Sequence, residues 1–190
     1  YIRPGKLASE ETRQNAQSAE DMSVEENFAA YIRTVDENDF ESGEPWYRWQ
    51  YEVNEIDIDG LLGRVQERYQ ANAALIQTRK EGAERYQANA ALIQTRKEGA
   101  DGAYYVSEPV EDIGELQNIE ISKRGPGGIA DEMLITGSEA VIKVISEYNI
   151  RRILCDGESK VIRQNGSGSV PGTLLPSAFF IIETGNVEED

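Results

Sequence analysis

One feature constrains this chain more than any other: residues 67–83 (ERYQANAALIQTRKEGA) recur without a change as residues 84–100. Both copies are rich in Ala, Leu, Gln, Glu, Lys and Arg, residues that favour helix. Upstream, Leu62, Val65, Tyr69, Ala73 and Ile76 recur at helical spacing and form one apolar stripe. The repeat length is a poor match to the helix. At 100° per residue, the second copy is rotated by roughly 100° from the first. One straight helix therefore cannot bury both copies against the same core. Gly82 offers a break between them. Two copies are also too few for a solenoid. The pattern predicts one long or broken helix over residues 59–98, with the second copy a surface insertion whose removal leaves the fold intact.

The rest of the chain is punctuated by turns. Residues 1–44 are predicted to be a polar N-terminal segment with one short helix. Ser23 and Glu26 have the spacing of a capping box, and Phe28, Tyr31 and Ile32 follow at helical intervals. Residues 45–190 form the second region, with the repeat at 67–100 inserted in it. Its first strand spans residues 45–53, where Trp49, Tyr51 and Val53 alternate with Arg48, Gln50 and Glu52. Ile113–Ile121, residues 129–136 and Ala140–Ile145 read as three strands of a β-meander. Turns at Arg124–Gly128 and Gly137–Glu139 separate them. In the last of the three, Val141 and Ile145 alternate around Lys143. Tyr148–Leu154 fits a short helix, residues 156–172 a glycine-rich surface hairpin, and Ser177–Glu183 a final strand covered on both faces. The fold class is α+β, with a mostly antiparallel sheet.

Composition narrows the chemistry. The formal net charge of -16 repels phosphate backbones and anionic membrane surfaces, so no nucleic-acid partner is expected. No apolar run approaches the roughly 18 residues of a membrane span. The chain has no histidine, which removes histidine general bases, Ser-His-Asp and Cys-His catalysis and the usual zinc sites. The single cysteine, Cys155, follows Ile153 and Leu154 and is expected to be a buried thiol. The glycine-rich stretch at 156–172 lacks the G-x-x-x-x-G-K-[ST] pattern of a phosphate loop. No catalytic, cofactor-binding or metal-ligating residue is assigned from the sequence. Trp49 and Phe179 are expected to be core residues, with sugar stacking secondary.

Several short stretches, in order, carry a family resemblance. Tyr47-Arg48-Trp49-Gln50-Tyr51 forms an aromatic strand followed by a helix after Ile58. Ile113-Gly114-Glu115-Leu116 leads into Ile119-Glu120-Ile121 and Arg124. Ile135-Thr136-Gly137 precedes a strand and then Tyr148-x-Ile150-Arg151-Arg152-Ile153-Leu154, and Pro176-Ser177-Ala178-Phe179-Phe180-Ile181 closes the set. From Pro45 to Glu183 the chain resembles the SpoIID/LytB family, the stage II sporulation protein D and amidase-enhancer proteins. It departs from the family pattern at Gly127-Gly128-Ile129, where Ser-Gly-Arg is usual, and in the duplicated segment. The family's E-A-L-K-A-Q-A-V-A-A-R helix would lie before Tyr1, and its G-H-G-V-G-M-S-Q segment after Asp190. The resemblance implies a fragment of a cell-envelope, peptidoglycan-acting protein of the lytic transglycosylase kind, inactive by itself. The alternative is a non-catalytic binding or regulatory module that assists a cell-wall amidase. Peptidoglycan glycan strands and other cell-wall hydrolases are the implied partners.

Overall fold

A computed structural model describes residues 21–79, 92–108 and 110–183. In chain order the elements are α1 (Glu25–Arg33), β1 (Trp49–Tyr51), α2 (Ile58–Arg79), β2 (Ile93–Gly99), β3 (Gly102–Val106), β4 (Leu116–Arg124), β5 (Ala130–Gly137), β6 (Val141–Ile145), α3 (Glu147–Leu154), β7 (Val161–Arg163) and β8 (Gly168–Ser169). They form an α+β fold with two antiparallel sheets. The larger has the order β3-β2-β6-β5-β4, and the smaller β1-β7-β8.

The large sheet follows from alternation. Consecutive strand residues point to opposite faces, so one buried residue recurs at every second position. Two cross-strand rows result. Ile93 pairs with Val144, which pairs with Met133, which pairs with Ile121. Thr95, Ile142, Ile135 and Ile119 form the next row in the same way. Leu61, Leu62 and Val65 of α2 and Ile150 and Ile153 of α3 complete the core against these rows. Cys155 is buried in the same cluster, as the sequence suggests. A turn at residues 125–128 joins β4 to β5, and one at residues 138–140 joins β5 to β6, so the meander and its turns stand as read.

The duplicated segment is where the structure departs most from the sequence reading. Ile76–Arg79 of the first copy continues α2, but the identical residues Ile93–Arg96 of the second copy are β-strand. Strand β2 is interior to the sheet, between β3 and β6, and Ile93 is 2 % exposed. Residues 93–99 of the second copy are thus a sheet strand that buries Ile93 and Thr95, and not a surface helix. Tertiary pairing decides this. Ile93 and Thr95 are β-branched residues two apart, which suits a pleated, half-buried strand. The first copy instead extends a helix already nucleated upstream, where each added residue gains a hydrogen bond at little cost. The remainder of the repeat, at residues 80–91, lies outside the described residues.

Smaller corrections have similar causes. The α1 helix forms, but Ser23 does not cap it: its N–H and hydroxyl both donate to Asp21 Oδ1, and Val24 occupies the N-cap. The first strand is short, and Val53 lies past its end, exposed. Strand β4 begins at Leu116. Ile113 precedes it, buried, where its carbonyl accepts the Glu139 N–H. In β6 the buried face carries Ile142 and Val144, so the alternation is one residue out of phase with the reading from Val141 and Ile145. Ser177–Glu183 is an extended segment outside both sheets. Its Ala178 carbonyl accepts the Ala130 N–H, and among its aromatics Phe179 is half-buried and Phe180 buried.

Candidate functional site: an aromatic groove on the small sheet

The small sheet places two tryptophans at one surface. Trp49 lies in β1, opposite Arg163 of β7. Trp46 precedes the strand, in a turn closed by the Tyr47 N–H donating to the Glu44 carbonyl. The Gln164 N–H donates to the Pro45 carbonyl, which ties this turn to the end of β7. Trp46 is 48 % exposed. The Arg163 guanidinium lies 4.2 Å from its ring centroid and is itself held by the hydroxyls of Ser167 and Ser169. The Trp46 ring is therefore braced from one side.

Trp49 has a double role. Its ring meets Phe180 of the core at 5.9 Å between centroids, and its indole N–H donates to Ser177 Oγ at 3.3 Å. Its remaining surface lines a shallow groove of about 500 Å³ with Trp46, Ser169, Pro171, Leu174, Pro176 and Ser177. None of these lining side chains is charged, in a chain whose formal net charge is -16. Aromatic faces, proline edges and two serine hydroxyls form an amphipathic surface. Such a surface suits a ligand that pairs apolar C–H faces with hydroxyl groups.

A second hollow, of about 300 Å³, lies between α1 and the following turn and is lined in part by Tyr31, Thr34, Asp36 and Asp39. Asp39 Oδ2 accepts hydrogen bonds from the Tyr31 and Tyr47 hydroxyls. Burial, reinforced by Asp39, pushes both phenols above their ordinary pKa. Arg48 stacks over the Tyr47 ring at 3.8 Å and donates to the Tyr31 and Thr34 carbonyls. These bonds tie α1 to the strand that follows.

The other embedded carboxylates are also occupied. Asp156 is partly buried, which raises its pKa. Hydrogen bonds from the Ser159 hydroxyl, the Tyr51 hydroxyl and the N–H groups of Ser159 and Glu158 outweigh this and bring it down to about 2. Such a group is ionised at neutral pH and is no proton donor to a glycosidic oxygen. Glu25 is paired with the buried Arg124. Among the described residues no group of three or more His, Cys, Asp or Glu side chains is placed to hold a metal ion, and no helix is long and apolar enough to cross a membrane.

Sequence reasoning and structure meet unevenly here. The stretches Tyr47–Tyr51 and Pro176–Ile181, far apart in the chain, are brought together: Trp49 bonds Ser177, and Phe179 packs edge-on against Phe28 at 4.7 Å and Tyr31 at 6.0 Å. Neither aromatic is the core residue expected: Phe179 is half-buried and packs on Phe28 and Tyr31 outside the main core cluster, and Trp49 is shared between core and groove. Trp46 was not singled out by the sequence. Its one signal is its place after Pro45 and before the strand, where no partner strand covers it. Comparison with protein-family models, with curated proteins and with solved structures finds no match.

Proposed function

We propose that this chain is a glycan-binding part of a peptidoglycan-acting protein of the SpoIID/LytB kind, with the Trp46–Trp49 groove as its sugar-stacking surface. The observation that supports this reading is the exposed, Arg163-braced face of Trp46 beside Trp49 in an uncharged, hydroxyl-bearing groove. A pyranose ring presents an apolar C–H face to stack on an indole and peripheral hydroxyls for Ser169 and Ser177.

Within this reading the chain holds the strand while cleavage is carried out elsewhere in the parent protein, a lytic transglycosylase, or by a partner amidase. The engagement of Asp39, Asp156 and Glu25 in internal bonds favours a binding role for the chain itself. The test is titration of the chain with denuded glycan strands, followed by tryptophan fluorescence. Trp46→Ala is expected to weaken binding by roughly tenfold, since losing one stacked aromatic removes about 1–2 kcal/mol. Its folding stability should stay within about 0.5 kcal/mol of the parent, as for other exposed sites. Absence of binding by the unaltered chain, or equal binding by Trp46→Ala, sinks the proposal. Release of anhydro-sugars by the isolated chain shows instead that it carries its own catalytic acid.

A further inference from the structure

We propose that the tandem repeat supplies the large sheet with two interchangeable versions of strand β2, and that the chain can seat either one between β3 and β6. The slot makes few demands. Ile93 and Thr95 are the residues of β2 that it buries, and Thr95 Oγ1 donates to the Glu108 carbonyl at 3.2 Å. Ile93, Gln94 and Thr95 pair with Val144, Lys143 and Ile142, and residues 95–99 pair with β3. Residues 76–82 have the same sequence as residues 93–99. Ile76 and Thr78 therefore meet every side-chain requirement that Ile93 and Thr95 meet.

Releasing residues 73–79 from α2 leaves the helix's described anchors in place. Leu61, Leu62 and Val65 are buried in the core, Arg64 Nε bonds the Ile153 carbonyl, and Arg68 Nε bonds Asn149 Oδ1. The last described anchor is Asn72, whose Oδ1 accepts from Arg68. A chain of contacts leads from this part of the helix to the slot. Asn149, bonded to Arg68, donates in turn to the Ile145 carbonyl at the end of β6. The next residue of β6, Val144, pairs with the first residue of β2. From Asn72 to Ile76 an extended chain spans about 13 Å, and the proposal requires that this reach cover the gap to the start of β2.

The two arrangements differ in where the surplus residues go. With Ile93 seated, they lie between α2 and β2, and β2 joins β3 through Ala100 and Asp101. With Ile76 seated, the helix-to-strand connection is residues 73–75, and the surplus joins the β2–β3 hairpin. Loop-closure entropy disfavours the longer hairpin by roughly 30-fold and favours the shorter helix connection by roughly 9-fold. The two loop terms thus largely offset one another, while the tight hairpin and the helical residues 73–79 favour the arrangement with Ile93 seated. Seating one copy or the other moves a charged segment from one end of β2 to the opposite end while the residue types at the two buried positions of β2 remain the same.

The test uses Ile76→Asp, Ile93→Asp, the double variant and the chain lacking residues 84–100. Deleting 67–83 instead gives the same polypeptide, with one helix end and one strand, so this single-copy chain tests the short connection. It is expected to fold. Ile93→Asp is expected to fold with Ile76–Arg79 shifted from helical to strand chemical shifts, and with its folding equilibrium reduced by less than in the double variant. Ile76→Asp should resemble the parent. The double variant should lose at least roughly 100-fold, because a carboxylate then enters the core in either arrangement. The proposal is overturned if Ile93→Asp unfolds as fully as the double variant, if it folds with Ile76–Arg79 still helical, or if the single-copy chain fails to fold. A double variant as stable as the parent overturns it as well.

Discussion

Replacing Arg124 with alanine probes the contact that holds three separate parts of the chain together. The Arg124 side chain is 1 % exposed. Its guanidinium pairs with Glu25 of α1, donates to the Gly128 carbonyl of the β4–β5 turn and to the Phe180 carbonyl, each at 2.9 Å, and stacks on Phe28 at 3.8 Å. Truncation leaves the two carbonyls without this donor, at about 1–3 kcal/mol each where water cannot replace it. It also removes a cation–π contact of about 0.5–2 kcal/mol. Glu25 is 44 % exposed, so its freed carboxylate is hydrated and adds little. The expected cost is about 3–5 kcal/mol, in line with breaking a buried ion pair. That is a large share of the roughly 5–15 kcal/mol that holds a domain folded. Urea unfolding followed by tryptophan fluorescence and far-UV dichroism reads it directly. With a slope near 2 kcal/mol/M, the midpoint should fall by about 1.5–2.5 M. Glu25→Gln leaves the buried guanidinium without its counter-charge and should itself cost about 2–3 kcal/mol, less than for a fully buried pair because Glu25 is 44 % exposed. A loss below about 1 kcal/mol for Arg124→Ala refutes the account.

Stability should also report on Asp156, whose folded pKa of about 2 lies below its ordinary value of 3.8. A depressed carboxyl stabilises the fold above its unfolded pKa, and that contribution is lost as pH falls from about 4 through 2. Allowing for partial solvent screening, the loss is about 1–2 kcal/mol, and Asp156→Asn should flatten the acid limb of a melt series over that window. Gly137→Ala should cost about 2–3 kcal/mol in a denaturant melt, since its Cβ would sit 2.0 Å from the Ile113 carbonyl oxygen, a backbone atom that cannot swing away. Gly63→Ala, in exposed α2 surface with no atom within 4 Å of the new Cβ, should stabilise by about 0.5–1 kcal/mol in the same assay.

Strong local patterns made much of the fold legible. Arg124–Gly128 and Gly137–Glu139 are turn-forming sequences, and β5 and β6 lie between and after them as expected. The helix at Glu147–Leu154 was visible because Ile150, Ile153 and Leu154 recur at helical spacing. Local reasoning failed where neighbours distant in sequence set the outcome. The buried face of β6 was misread because Val141, Ile142, Val144 and Ile145 are all apolar, and alternation then cannot choose between phases. The groove was less legible still. Trp46 and Trp49 are near neighbours in the chain, but Ser169, Pro171, Leu174, Pro176 and Ser177 reach them only through the pairing of β1 with β7 and β7 with β8.

The repeat separates the two kinds of information most clearly. The sequence by itself determined that both copies have the same intrinsic preferences and that one helix cannot bury them both. It also determined the charge, the lack of histidine and the turn positions, which depend on residue identity alone. Only the tertiary structure decided that Ile76–Arg79 is helix and Ile93–Arg96 is strand. The physical reason is that secondary-structure propensities differ by less than about 1 kcal/mol per residue, whereas burying a single isoleucine contributes about 1.5–3 kcal/mol. Ile93 meets a vacant ladder edge on β6 and a core, and Ile76 meets the end of a growing helix. Identical residues therefore take different forms.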